Sequence, residues 1–286
     1  MATLHPVDHH TRDQLNTYLA KIEDVLEADV LSIFSPIMPG LESTVKNVVE
    51  MYQNRRCRIA IVLDTLGGVV EVVERIVSVI RAHYKKVDFL IPDRAMSAGT
   101  VFVMAGDRIF MSYFSCLGPI DPQIEKDGEF VPALSYLNQY QRLCEKAEAG
   151  TLNSAELLLL NKLDLGELDQ FEQARALSRD LLTDWLSKYK FKDWTTHSSN
   201  DACVTDADKK KRAQEIADVL SDNERWHSHG RMISRDTLVS EPIRLKIEKL
   251  EDEPKLFPYF DKYVGLLQDY VQRGNFVSFV HTREYF

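Results

Sequence analysis

Ile59-Ala60-Ile61-Val62-Leu63-Asp64-Thr65-Leu66-Gly67-Gly68 is an apolar, β-branched run of strand length that stops at an Asp and a diglycine, and a helical pattern follows it. A diglycine at such a junction lets the backbone turn sharply and leaves N–H groups free to face a ligand. A second junction of the same kind comes one unit later. Val87-Asp88-Phe89-Leu90-Ile91-Pro92 reads as a strand, and Arg94-Ala95-Met96-Ser97-Ala98-Gly99-Thr100 then sets a lone serine between small residues where another helix opens. A serine at a helix N-terminus has its hydroxyl in a positive local field, with the next backbone N–H aimed at the same space. A nucleophile and two backbone donors are the minimum apparatus for acyl transfer. Either motif taken singly has a plainer reading, a cap serine or a turn glycine pair.

The neighbouring sequence repeats this alternation. Asp13 to Glu27 carries apolar residues at helical spacing, Asp29–Ser35 is a short β-like run, and Pro39 to Asn54 reads as a helix. The strand over 57–64 leads to a helix over 69–84, a strand over 87–91, a helix opening near Met96 and a strand at Arg108–Ser112. Strand and helix in turn predict an α/β fold with a buried sheet. From Pro132 the pattern changes to long leucine-rich helices, Ala133–Ala149 and Ser154–Lys188, broken near Gly150 and Gly166. Residues 195–207 are polar and turn-rich, so the chain divides into a domain over 1–195 and a C-terminal segment over 208–286. That segment opens with the basic run Lys209-Lys210-Lys211-Arg212, read as a solvated helix face, and ends rich in aromatic residues.

Composition narrows the function. A net charge of −9 argues against a nucleic-acid or anionic-membrane binder, and no apolar stretch is long enough to span a bilayer. Met1 to Arg12 has no apolar centre and is not a signal peptide. Cys57, Cys116, Cys144 and Cys203 show no pairing or metal spacing, which points to reduced thiols in a cytoplasmic protein. His227 and His229 have no third ligand nearby and read as a surface turn, so neither a metal nor a cofactor is expected.

Three ordered blocks carry a family resemblance: Asp64-Thr65-Leu66-Gly67-Gly68, Ala95-Met96-Ser97-Ala98-Gly99-Thr100 and Leu117-Gly118-Pro119-Ile120-Asp121-Pro122-Gln123. Together they resemble the Clp/crotonase-type serine peptidases, in particular the serine dehydrogenase proteinases related to signal peptide peptidase A. The resemblance implies an α/β, Clp/crotonase-like superhelix of ββα units, with a helical section and a small C-terminal appendage. It departs at Leu66, where relatives usually carry Pro. By transfer from the family, Ser97 is the nucleophile, Gly68 and Ala98 supply the oxyanion-hole N–H groups, and Gly67 serves the turn.

A serine hydroxyl also needs a base. Clp proteases place a His in the region that here reads Pro119–Gln123, which has none, and His83 lies on the wrong side of the unit. Relatives of signal peptide peptidase A use a lysine on the following helix. Here Asn138 falls near that distance, and Lys146 fits the spacing best, although its neighbours Glu145 and Glu148 favour a charged ammonium. Lys126, Lys162 and His229 are the other candidates, His229 if the tail folds over the cleft. Asp121, stiffened between prolines, is placed to orient a base or a bound peptide, or to stabilise its own turn. The chain therefore reads as a cytoplasmic serine peptidase acting on peptides or proteins as a homo-oligomer. The alternatives are a catalytically weak relative that binds peptides or assembles with a partner, and a crotonase-like acyl-CoA enzyme.

Overall fold

A computed structural model describes residues 6–121, 123–126, 129–197 and 201–286. The chain opens with α1 (Pro6–Leu26), β1 (Asp29–Phe34), α2 (Leu41–Met51), β2 (Arg58–Asp64), α3 (Val70–His83) and β3 (Lys86–Ile91). Next come the short β4 (Arg94–Ala95), α4 (Ala98–Val103), β5 (Arg108–Met111), the short β6 (Cys116–Leu117) and a hairpin of β7 (Gln123–Lys126) and β8 (Glu129–Pro132). The helical section holds α5 (Ala133–Glu148), α6 (Ser154–Leu160) and α7 (Leu165–Trp185), which runs into a π-helical turn at Leu186–Lys190. The rest is α8 (Asp206–Ser221), α9 (Asn223–Trp226), β9 (Ile233–Ser234), α10 (Arg235–Val239), β10 (Glu248–Lys249), α11 (Phe257–Arg273) and β11 (Phe279–His281).

The main sheet has the order β10-β5-β3-β2-β1-β11, parallel throughout except for the antiparallel edge strand β11. This is the α/β fold that the alternation predicts. Both faces of a parallel sheet are covered by its crossovers, which is why β2 reads as an unbroken apolar run. Side chains leave each strand to alternate faces. Leu31, Ile33, Ile59, Ile61, Leu63 and Phe89 pack toward α2, α3, α4 and α8, whereas Val30, Ala60, Val62, Leu90 and Phe110 pack toward α1 and α11. Helix α3 buries Val72, Val73, Ile76, Val77 and Ile80, each contributing about 1.5–3 kcal/mol.

The C-terminal segment does not form a core of its own. Strand β10 pairs with β5 and β11 with β1, so residues beyond 208 supply both edges of the main sheet. Helix α11, which the aromatic tail did not reveal, lays Phe260, Tyr263, Val264 and Leu267 over one face against α1. The boundary loop near 195–207 thus separates two stretches of chain that share one core. The basic run at the head of α8 also differs from its reading as a solvated face. Lys209 donates to the Lys192 carbonyl at 3.1 Å, and Arg212 donates to those of Pro242 and Ile243 at 2.7 and 2.6 Å.

A buried polar chain fixes α11 to this edge. The Ser32 hydroxyl, the Tyr263 hydroxyl and His281 Nδ1 are joined by contacts of 2.7 and 2.7 Å, and His281 is wholly buried. Its Nε2 has no partner among the described residues. Burial pushes the imidazole down to about 4. The folded-state value thus lies below the ordinary one of about 6.5, so the folded protein binds fewer protons than the unfolded chain over that interval. The contribution is complete above about pH 6.5 and is lost as pH falls toward about 4, with a limit of about 3 kcal/mol. Urea unfolding of wild type and His281→Gln from pH 7.5 to 4.5 checks this, because groups common to both proteins cancel in the difference. The stability gap should narrow on acidification; parallel curves would contradict it.

Candidate active site

The two junctions singled out by sequence touch. Beyond β2, Thr65 bridges Ala95: its N–H donates to the Arg94 carbonyl, and its own carbonyl accepts from the Met96 N–H, both at 3.0 Å. The Gly67 N–H donates to Thr65 Oγ1 at 3.0 Å, closing the turn the sequence assigns to it. Gly67 and Gly68 then run beside Ile37, whose N–H donates to the Gly67 carbonyl and whose carbonyl accepts from the Val69 N–H, both at 2.8 Å. The glycines have φ of +99° and +144°. A Cβ on Gly67 would stand 2.7 Å from the Met96 carbonyl oxygen and 2.8 Å from Ser97 Cβ; one on Gly68 would stand 2.2 Å from the Ile37 oxygen. Only glycine fits at either position. Leu66, in the place where relatives carry Pro, is 68% exposed and leaves the turn intact.

Ser97 occupies the N-cap position of α4 with φ 52° and ψ −118°, and its side chain makes no capping hydrogen bond. A non-glycine residue in that region costs about 1–3 kcal/mol and persists only where its surroundings impose it. Here they do. Thr100 Oγ1 lies 2.8 Å from the carbonyl oxygens of both Ala95 and Gly118, with one proton to donate between them, and accepts from the Gly118 N–H at 3.0 Å. The first helical bonds run from the Thr100 and Val101 N–H groups to the Ser97 carbonyl. Among the described residues, the N–H groups of Gly68 and Ala98 have no acceptor. Ser97 is half-buried and its hydroxyl is uncommitted. A plain cap serine would show the capping bond and ordinary extended backbone.

A second sheet brings in residues from the far end of the chain. Its order is β4-β6-β9, with Ala95 beside Leu117 in parallel and Leu117 beside Ile233 in antiparallel register. Ser97 follows β4, Asp121 follows β6, and His229 precedes the antiparallel β9. All three therefore leave the sheet at the same end. Continuing the β6–β9 register sets Asp121 opposite His229, and their side chains meet there: His229 Nδ1 lies 3.0 Å from Asp121 Oδ1. Asp121 is 1% exposed, and its Oδ2 has no partner among the described residues. With Nδ1 engaged, the imidazole has Nε2 left to face a second group.

The other candidates lie elsewhere. Lys146 is on the last turn of α5, half-exposed and ion-paired with Glu156. A dyad base needs a buried amine facing the serine, and this one is exposed and paired with a carboxylate. Lys162 is exposed, and the side chain of Lys126 lies outside the described residues. Asn138 donates to Asn223 Oδ1 at 3.4 Å. His83 Nδ1 bonds the Val79 carbonyl at 2.8 Å, a local helix-end contact. Among the described residues no group of three His, Cys, Asp or Glu side chains is placed to hold a metal ion. The sequence left the His229–Asp121 pairing open because only the strand register reveals it; the proline-stiffened Asp121 was its one local signal.

Comparison with known proteins places these blocks. Among solved structures the chain is similar to a mutant of the 1510-N membrane-bound stomatin-specific protease, with TM-score 0.33 and 20% identity over 42% of this chain and 63% of that one. It is also similar to a mutant ClpP1 from Listeria monocytogenes, with TM-score 0.36 and 16% identity over 64% and 88% of the two chains. Two uncharacterized proteins of Methanocaldococcus jannaschii are each 34% identical to it, over 113 and 100 residues. Those stretches are 40% and 35% of this chain but 36% and 34% of the relatives, so it spans well under half the length of either. The decisive match is to a family and runs over residues 44–206, from α2 to the head of α8: the chain belongs to the ClpP-like SDH-type serine proteinases.

Proposed function

We propose that the chain is a serine peptidase in which Ser97 is the nucleophile, His229 the general base and Asp121 the group that orients it, with the N–H groups of Gly68 and Ala98 as the oxyanion hole. The observation that carries this is the backbone of Ser97, held in the left-handed region with its hydroxyl uncommitted, directly against the Gly67-Gly68 turn. In this reading His229 is the base, in the role that spacing along the chain suggested for Lys146. Its imidazole is mostly buried and fixed through Nδ1 by a buried carboxylate, which sets the tautomer that accepts a proton at Nε2.

The steps follow from those assignments. Ser97 Oγ attacks the peptide carbonyl carbon as its proton passes to His229 Nε2. The carbonyl oxygen becomes an oxyanion between the two backbone donors, which are already oriented and cost little reorganisation as charge develops. The imidazolium is stabilised by Asp121 and returns the proton to the leaving amine. Water, activated in the same way, then releases the acyl group from Ser97.

Two broader features belong to the same reading. No helix among the described residues is long and apolar enough to cross a membrane, and the four cysteines are free, which supports a reducing, cytoplasmic setting. Leu157, Leu158, Leu159 and Leu165, all exposed at the α6–α7 tip, support self-association. Light scattering at micromolar concentration should return an oligomer; a monomer would end that part.

Labelling with a fluorophosphonate tests the chemistry, since capture needs nucleophile, base and oxyanion hole together. Wild type should be modified at Ser97 and Ser97→Ala should not. His229→Ala should slow labelling by about 10²–10⁴-fold, and Asp121→Asn by up to about 10⁴-fold. Lys146→Ala should label at the wild-type rate. Labelling that survives His229→Ala but is lost in Lys146→Ala would restore the lysine base. An unlabelled wild type would favour the peptide-binding or assembly reading.

A further inference from the structure

A cavity of about 660 Å³ opens at the carboxyl ends of β1, β2 and β3, closed on its far side by α11. Ligand crevices of parallel sheets form at this end of the strands. It borders both junctions of the site: Leu66, in its wall, directly precedes Gly67, and Arg94, also in its wall, lies shortly before Ser97. Its charged lining residues are Asp64, Asp93 and Arg94. Arg94 Nε stands 3.3 Å from Asp93 and 3.9 Å from Asp64, so one half-exposed guanidinium is shared between two carboxylates. Gln268 adds a weak bond to Asp64 at 3.5 Å. The cavity therefore carries one more negative charge than positive. Burial, and then the neighbouring Asp93, push Asp64 up to about 6, with Arg94 pulling the other way and not compensating.

The rim is of opposite character. Leu66, Phe276 and Val277 line the same cavity and are 68%, 42% and 79% exposed. Exposed apolar side chains around a charged floor suit a long side chain whose methylene stem is apolar and whose end is cationic. An anion would meet two carboxylates. A metal ion would find too few ligands, since no group of three converges among the described residues.

We propose that this cavity is the subsite for a lysine or arginine side chain of the peptide substrate, its stem along Leu66 and Phe276 and its cationic end at Asp64 and Asp93. The inference rests on the peptidase reading for the word substrate, and its test does not need turnover. Full-length Ser97→Ala is titrated by fluorescence anisotropy with positional libraries of dye-labelled peptides carrying lysine, norleucine or acetyl-lysine at each position. At one position the lysine pool should bind about tenfold or more tighter than the other two. Adding Asp64→Asn and Asp93→Asn should remove that advantage while leaving norleucine binding unchanged, which also shows that the fold is intact. Adding Arg94→Gln instead should enlarge it by removing the competing cation. Equal binding of all three pools, or a lysine preference that survives the double Asn change, overturns the proposal. A labelled Ser97 with no lysine preference overturns the subsite alone; a lysine preference without labelling supports the cavity and counts against the peptidase reading.

Discussion

At Gly67 the turn after β2 approaches the Ser97 junction so closely that one added carbon would stand 2.7 Å from a main-chain oxygen. That backbone-to-backbone contact fixes the relation between the two strand–helix junctions, and much else follows from it. It requires Thr65 to bridge Ala95, which extends the order of the main sheet into β4. It also sets the Gly68 N–H and the Ala98 N–H on neighbouring stretches of chain with their hydrogen-bonding capacity unused. Interior protein packing rarely leaves donors unpaired, because an unmet buried N–H costs about as much as a lost hydrogen bond. Gly68 is exposed and its N–H is open to water, whereas Ala98 is buried, so the Ala98 N–H beside a strained serine is the local cost that the rest of the fold has to offset.

The offset is visible around Thr100. Its hydroxyl ties Ala95, Gly118 and the first turn of α4 together, so the conformation of Ser97 is imposed from both sides. Gly118 in turn lies against Met96, whose side chain fills the space a Cβ would take, and carries the chain on to Asp121. The same few residues that hold Ser97 in its strained state also direct the buried carboxylate. Stability stored in the apolar layers of α2, α3 and α4 thereby supports geometry at the sheet's end that no local propensity would favour.

What was legible in the sequence was local. Residues 59–63, Val72 to Ile80 and 87–91 announce strand, helix and strand because each sits in a buried environment of one periodicity. Gly67, Gly68 and Ser97 stood out because a sharp turn and a lone small-flanked serine are short-range signals. The strands β4, β6, β9 and β10 were not legible: each is two residues long, and pairing decides them, with propensity contributing little. Helix α11 was obscured by its aromatic residues, which are poor helix formers individually and are helical here because Phe260, Tyr263 and Leu267 cover the sheet. Lys146 followed from spacing alone, and spacing along a chain does not report burial; its side chain is half-exposed and paired with Glu156.

His229 shows the same limit from the other direction. It lies in a turn whose local sequence gives no hint of a partner, and 108 positions separate it from Asp121. Closing a loop of that length has an entropic cost that grows only slowly with length, so distance in sequence is no bar. What matters is the enthalpy and burial gained at the far end. Here α8 packs on α7, the Ile120 N–H bonds the Leu220 carbonyl, and Ile233 joins β6 in the main core. These contacts deliver His229 to Asp121 as a by-product of closing the sheet. Under the proposed mechanism, the nucleophile and oxyanion donors belong to the early ββα units, whereas the base comes from the C-terminal segment, just before β9. The site is then complete only when both ends of the fold are joined.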